Sequence, residues 1–209
     1  MGASPPVAGW EQTPTVPNSY SGFSPIRIKI PPTPHMKTFH HKSIRLPLNR
    51  YVGTAWFFVT FCCEHREKIF ANPTRAKWFV DNLRSESLTH TVAIHAYCIM
   101  PNHVHLLTQS QTPTTNLLQF LKSLKRKTGF AYKQKTAQQL WQKKSYDHAL
   151  RSTDPTDQVA WYIWLNPVRA NLCATANEYP WSGSLTGARP NSTPPTEPWS
   201  PPWRSQGVT

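Results

Sequence analysis

The placement of proline constrains this chain more than any single motif. Of its 21 prolines, eight lie in residues 1–35 and six in 186–209, leaving seven for the 150 residues between. A ring that fixes φ and removes a backbone donor cannot recur at that density inside helices or sheet ladders. Both flanks are also rich in Ser, Thr and Gly, weakly charged, and without helical or strand periodicity. The sequence therefore assigns 1–40 to a flexible N-terminal extension and 186–209 to a flexible C-terminal tail. The folded unit is 41–185, a single domain with room for a core.

Charge narrows the partners of that domain. The chain carries a net charge of +13, and between Glu86 and Asp147 it has no carboxylate at all. Lys122, Lys125, Arg126, Lys127, Lys133, Lys135, Lys143 and Lys144 all fall within that stretch. A field of one sign is the footprint of a polyphosphate partner; the plainer alternative is a solvated lysine face. An acid-free stretch of this length also leaves no place in it for a cluster of three catalytic carboxylates. The tails offer no basic helix with a strong apolar face, and no segment is long and apolar enough to span a bilayer. No membrane role is expected. Cys62, Cys63, Cys98 and Cys173 show no Cys-x-x-Cys spacing, so they read as reduced thiols and not as a zinc knuckle or a disulfide frame. With no apolar leader at the N-terminus, the expected location is the cytoplasm.

Local patterns divide the domain into strands and helices. Trp56 to Cys62 is an aromatic and β-branched run that predicts a first strand. Asn72-Pro73 starts a helix with Trp78, Phe79, Leu83 and Leu88 at helical spacing. Thr91 to Met100 and His103 to Gln109 predict two strands joined through Pro101-Asn102. Proline cannot take the positive φ of the tightest hairpin turns, so a looser connection is expected there. Asn116 to Tyr132 predicts a helix with Leu117, Phe120, Leu121 and Leu124 inward, and 133–152 reads mostly as loop. Asp154-Pro155 predicts a capped helix start, with the helix ending near Asn166 because the next residue is proline. Together these make an antiparallel sheet with helices on one or both faces, an α+β domain.

His103-Val104-His105 is the most chemically specific feature. In a strand, side chains two apart share a face, so both imidazoles project together. Two neutral imidazoles side by side are a bidentate half-site for a divalent metal. The bland reading is a polar pair on an open sheet face. Tyr162 and Asn166, four apart, share one face of the last helix. Were that helix to cross the histidine face, a phenol would meet a metal able to polarise a phosphoryl oxygen, and could attack phosphorus. The alternative makes Tyr162 a packing aromatic and Asn166 a C-terminal cap.

Met100-Pro101-Asn102-His103-Val104-His105-Leu106-Leu107 resembles the signature of the single-tyrosine HUH transposases, in their REP-associated tyrosine transposase branch. Other segments resemble that family in the same order. They are Trp56 to Phe61, Trp141-Gln142, Asp147 to Arg151, Tyr162 to Ala170, and Tyr179-Pro180-Trp181-Ser182. The likeness spans 42–185; the proline-rich first 35 residues lie outside the family pattern. The resemblance implies a ferredoxin-like (RRM-like) fold of the HUH endonuclease type, acting on single-stranded or hairpin DNA. It makes His103 and His105 ligands of Mg2+ or Mn2+, with Asn166 completing the metal site. It makes Tyr162 the nucleophile, forming a 5′-phosphotyrosine and releasing a 3′-hydroxyl that can later rejoin strands without ATP.

Lys122, Lys125 and Arg126 are then expected to grip phosphates, Trp141 to stack an unpaired base, and His148 and Arg151 to contact phosphate or hairpin. Two other readings compete: a non-catalytic binder of repetitive extragenic hairpins, and an RNA-binding protein. Both a homodimer and a monomer are compatible with the sequence.

Overall fold

The computed structural model describes residues 48–187, 194–195 and 199–201. The expected extension 1–40 lies outside them. Strand β1 (Trp56–Cys62) leads through two short 3-10 turns into helix α1 (Pro73–Thr89), followed by β2 (Val92–Met100), β3 (His103–Ser110), α2 (Leu117–Thr136) and β4 (Tyr146–Ala149). The sheet order is β4-β1-β3-β2, with every neighbouring pair antiparallel. A β-α-β-β-α-β chain in that order is the ferredoxin-like α+β arrangement expected from the sequence. Two short helices, α3 (Thr156–Trp164) and α4 (Asn166–Arg169), follow, and the two-residue β5 (Ser182–Gly183) extends the sheet beyond β2.

Each face of the sheet has its own core. Phe57, Val59 and Phe61 of β1 and Val104 and Leu106 of β3 pack against Phe79 and Leu83 of α1 and Phe120, Leu121 and Leu124 of α2. The opposite face carries Phe58, Leu107, Ala96, Cys98 and Met100, covered by Val159, Ala160, Tyr162 and Ile163 of α3. Alternate β1 residues thus serve different cores, as the two-residue strand period requires. No described helix is long and apolar enough to cross a membrane.

The helix starts follow from their caps. Asn72 accepts the Arg75 amide at 3.1 Å with Pro73 behind it, and Asn116 accepts the Gln119 amide at 3.2 Å. Other expectations give way. Leu88 is 78% exposed: five residues after Leu83 it falls off the inward stripe of α1, which continues through Glu86 and Ser87 instead. The Asp154 carboxylate accepts the Arg151 amide at 2.7 Å, closing a turn before α3 and not capping the helix. Most of 133–152 is loop as expected, but its ends are not: α2 runs to Thr136, and Tyr146–Ala149 pairs with β1. That short polar strand is held by the Tyr51 hydroxyl, which donates to the Asp147 carboxylate.

The β2–β3 connection is tighter than its proline suggests. Met100 pairs with His103, so Pro101 and Asn102 alone make the turn, neither at positive φ. Its carbonyls are used from outside: Pro101 O accepts the Phe70 amide at 2.9 Å and Asn102 O the Cys63 amide at 3.0 Å. Within β2 a bulge at His95 shifts the register between Ile94 and Ala96. Val92 and Ile94 therefore belong to the α1/α2 core, whereas Ala96 and Cys98 belong to the α3 core.

Candidate active site

The two histidines begin the central strand β3 and project from the α3 face. Their ring centroids are 4.7 Å apart at an interplanar angle of 84°. His105 is opposite Thr60 on β1, and its Nδ1 lies 2.9 Å from Thr60 Oγ1. His103 Nδ1 lies 2.6 Å from Oδ1 of Asn102, the residue before it in the turn. An amide oxygen only accepts, so His103 carries its proton on Nδ1 and its lone pair on Nε2. Burial, reinforced by the nearby Arg66 guanidinium, lowers the His103 pKa to about 4. The ring is neutral at physiological pH. Neutral imidazoles whose second nitrogens are tied to side-chain partners are the form in which histidine binds a divalent metal. The donor set therefore fits such an ion. Among the described residues, no third His, Cys, Asp or Glu joins the pair.

Helix α3 brings Tyr162 over this face. Its ring centroid is 6.5 Å from that of His105 and 5.9 Å from that of Phe58. Pro167 explains the helix end beside it. Proline has no N–H to give the carbonyl four residues back, so the Ile163 oxygen loses its helical donor. Asn166 Nδ2 takes over, reaching Ile163 O at 3.2 Å and Tyr162 O at 2.9 Å. Asn166, expected to complete a metal site, thus turns its amide nitrogen into the helix as a cap. The Arg169 guanidinium also donates to Tyr162 O, and lies 4.2 Å from the centroid of the Tyr162 ring.

From residue 52 to 164, more than half of the chain, the sequence matches the family model described as "Transposase IS200 like". The chain belongs to the IS200-like transposase family. Within this transposase, the matched region runs from just before β1 through the last residue of α3, so it holds both histidines and Tyr162. A Haemophilus influenzae protein named only as uncharacterized is 26% identical over 160 residues, covering 62% of this chain and 89% of that one. The solved structure of a REP-associated tyrosine transposase bound to a REP hairpin superposes with a TM-score of 0.55 at 18% identity. It covers 70% of this chain and 82% of that one, a likeness of fold.

The remaining expected contacts of the transposase divide between the two faces. His148 on β4 is half-buried opposite Phe58, and so shares the histidine face. Burial lowers its pKa, against the Asp154 carboxylate and with the Arg151 guanidinium. Arg151 is exposed just beyond β4. Lys122 and Arg126 are exposed on α2, on the other side of the sheet. Lys125 on the same helix donates to Gln142 O at 2.8 Å and lies 5.6 Å from the Phe61 ring centroid. Trp141 is the clear correction among them. It is 5% exposed, its indole N–H donates to Thr128 Oγ1 at 2.9 Å, and Phe61, Phe70 and Phe79 surround it. No base stacks on a ring so enclosed.

Three contributors escaped the sequence reading. Thr60 is marked only by its register opposite His105. Arg169 lies past the proline at which the helix was expected to stop, although its spacing of seven from Tyr162 is two helical turns. Trp199 falls in the tail expected to be mobile throughout. Its ring lies 5.2 Å from that of Tyr162 and 5.6 Å from that of Phe58.

Proposed function

We propose that this transposase nicks and rejoins single-stranded or hairpin DNA through a covalent 5′-phosphotyrosine at Tyr162. The observation that carries the reading is the packing of Tyr162 across the strand that bears His103 and His105. The Tyr162 oxygen attacks phosphorus and the bond from phosphorus to the 3′ oxygen breaks. The phenol loses a proton, and the released 3′-hydroxyl gains one. Rejoining is the reverse, with a 3′-hydroxyl attacking the phosphotyrosine.

His103 and His105 would hold a divalent cation, Mg2+ or Mn2+, which when bound polarises a phosphoryl oxygen as a Lewis acid. Thr60 and Asn102 hold the two rings in orientation. Arg169 places positive charge against the face of the Tyr162 ring, which favours the phenolate over the phenol. Phe58 and Ile163 line the same face and keep it apolar. The hairpin carried by the structurally similar transposase supports a DNA hairpin as the partner here.

The test uses end-labelled hairpin oligonucleotides from the DNA flanking the chain's own gene, incubated with the protein and manganese. A denaturation-resistant adduct on the fragment 3′ of the cut, lost in both Tyr162→Phe and His103→Ala, is the expected result. Tight, salt-sensitive binding without any adduct would reduce the protein to a hairpin binder.

A further inference from the structure

A groove with a volume of about 380 Å³ lies away from Tyr162, between the C-terminal half of α2 and residues 139–143. One wall is two adjacent stripes of α2. Residues four apart align along a helix, so Arg126 stands in line with Phe130, and Lys125 with Gly129 and Lys133. The other wall includes Gln142 and Lys143, and the buried Trp141 forms part of the lining. Lys125 ties the walls together through its bond to Gln142 O.

Two features of the groove have no structural task. Phe130 is 65% exposed, a large apolar ring in the middle of a basic helix. Arg126, Lys133 and Lys143 line the groove without a carboxylate partner among the described residues, whereas the neighbouring Lys127 is neutralised by Glu86 of α1 at 3.0 Å. An exposed aromatic ring flanked by unneutralised cations has the chemistry of a site for an unpaired nucleotide. The ring offers a face to the base and the cations meet the phosphates on either side.

The groove is also joined to the catalytic strands. Gln142 donates its amide to Cys62 O at 2.9 Å, and Cys62 is the ladder partner of His103. The groove therefore borders the end of the sheet at which the histidine pair begins.

Resting on the DNA-processing reading above, we propose that the groove binds an unpaired DNA base on Phe130, with Arg126, Lys133 and Lys143 on its flanking phosphates. It is a second subsite, holding single-stranded DNA next to the hairpin.

The full-length protein is titrated with a DNA hairpin bearing a short single-stranded extension on either side of the stem, and with the same hairpin lacking extensions. A fluorescent adenine analogue in the extension reports stacking. Phe130→Ala, at an exposed position, is expected to weaken binding of the extended hairpin about tenfold and to abolish quenching, while leaving the bare hairpin unchanged. Phe130→Trp should retain both. The double variant Arg126→Gln, Lys133→Gln should reduce the salt slope for the extended hairpin by about 1.4, the value for two single-strand phosphates.

Equal affinity of Phe130→Ala and the unaltered protein for the extended hairpin would overturn the proposal, as would an unaltered protein that does not discriminate between the two hairpins. An RNA extension bound as tightly, with the same dependence on Phe130, would overturn the assignment to DNA. The two readings separate in the adduct assay. Phe130-dependent binding without an adduct retains the groove and ends the nicking mechanism; an adduct with Phe130-independent binding does the reverse.

Discussion

The Arg169 guanidinium lies 4.2 Å from the centroid of the Tyr162 ring while donating to the carbonyl of the same residue. One side chain thus caps a carbonyl in the last turn of α3 and charges the surroundings of the phenol. A cation over an aromatic face contributes about 0.5–2 kcal/mol. Arg169→Gln should therefore slow adduct formation several-fold to about tenfold at neutral pH. Arg169→Lys should restore part of the rate. Single-turnover rates of adduct formation at saturating DNA check both; an unchanged rate in Arg169→Gln would leave Arg169 with the helix end alone.

In the proposed site, Thr60 would act on the cation through His105. Thr60→Val keeps the volume and removes the oxygen 2.9 Å from His105 Nδ1. Loss of such a partner typically costs about 10–100-fold in metal affinity. The concentration of manganese giving half-maximal adduct should rise by that order, with the maximal yield little changed. Manganese-dependent thermal stabilisation should shift in parallel, which gives a readout independent of cleavage.

Acid should destabilise the domain through its histidines. Burial lowers the pKa of His103 to about 4, and lowers those of His95 and His148 as well. The unfolded chain binds protons near pH 6.5, before these folded sites do, so the unfolded state is the one favoured as pH falls. Stability is unaffected by these groups above about pH 7 and declines as pH drops below about 6.5; for His103 the decline continues to about pH 4. Each such group contributes up to about 1.4 kcal/mol per pH unit within its window. Urea unfolding across this range measures the slope, and His103→Gln should flatten it.

Trp199 covers what the reaction needs open. Its ring packs on both Tyr162 and Phe58, the residues beside the histidine pair. Trp199→Ala should raise the initial rate of adduct formation several-fold while lowering the melting temperature slightly. An unchanged rate would mean that DNA displaces the indole without cost.

Sequence and structure agree where a residue's role is set by its nearest neighbours. The caps at Asn72 and Asn116 announce their helices, and the strand period alone puts His103 and His105 on one face. Agreement fails where the partner is distant. Tyr146–Ala149 has no apolar alternation, and becomes a strand because β1 offers an edge and Tyr51 anchors Asp147. Trp141 looks like a surface aromatic among lysines, yet Thr128, two turns before the end of α2, supplies the acceptor that lets its indole enter the core. Asn166 reads equally well as ligand or cap from sequence; its amide nitrogen takes the cap, at Tyr162 O and at the Ile163 O that Pro167 leaves without a donor.

The bulge at His95 makes one strand answer to two masters. Upstream of it, residues of even number face the long helices; downstream, even numbers face the helix of Tyr162. A point substitution alters one contact, but losing or gaining a single residue here exchanges the inside and outside of half the strand. In this stretch the protein can drift in composition far more freely than in length.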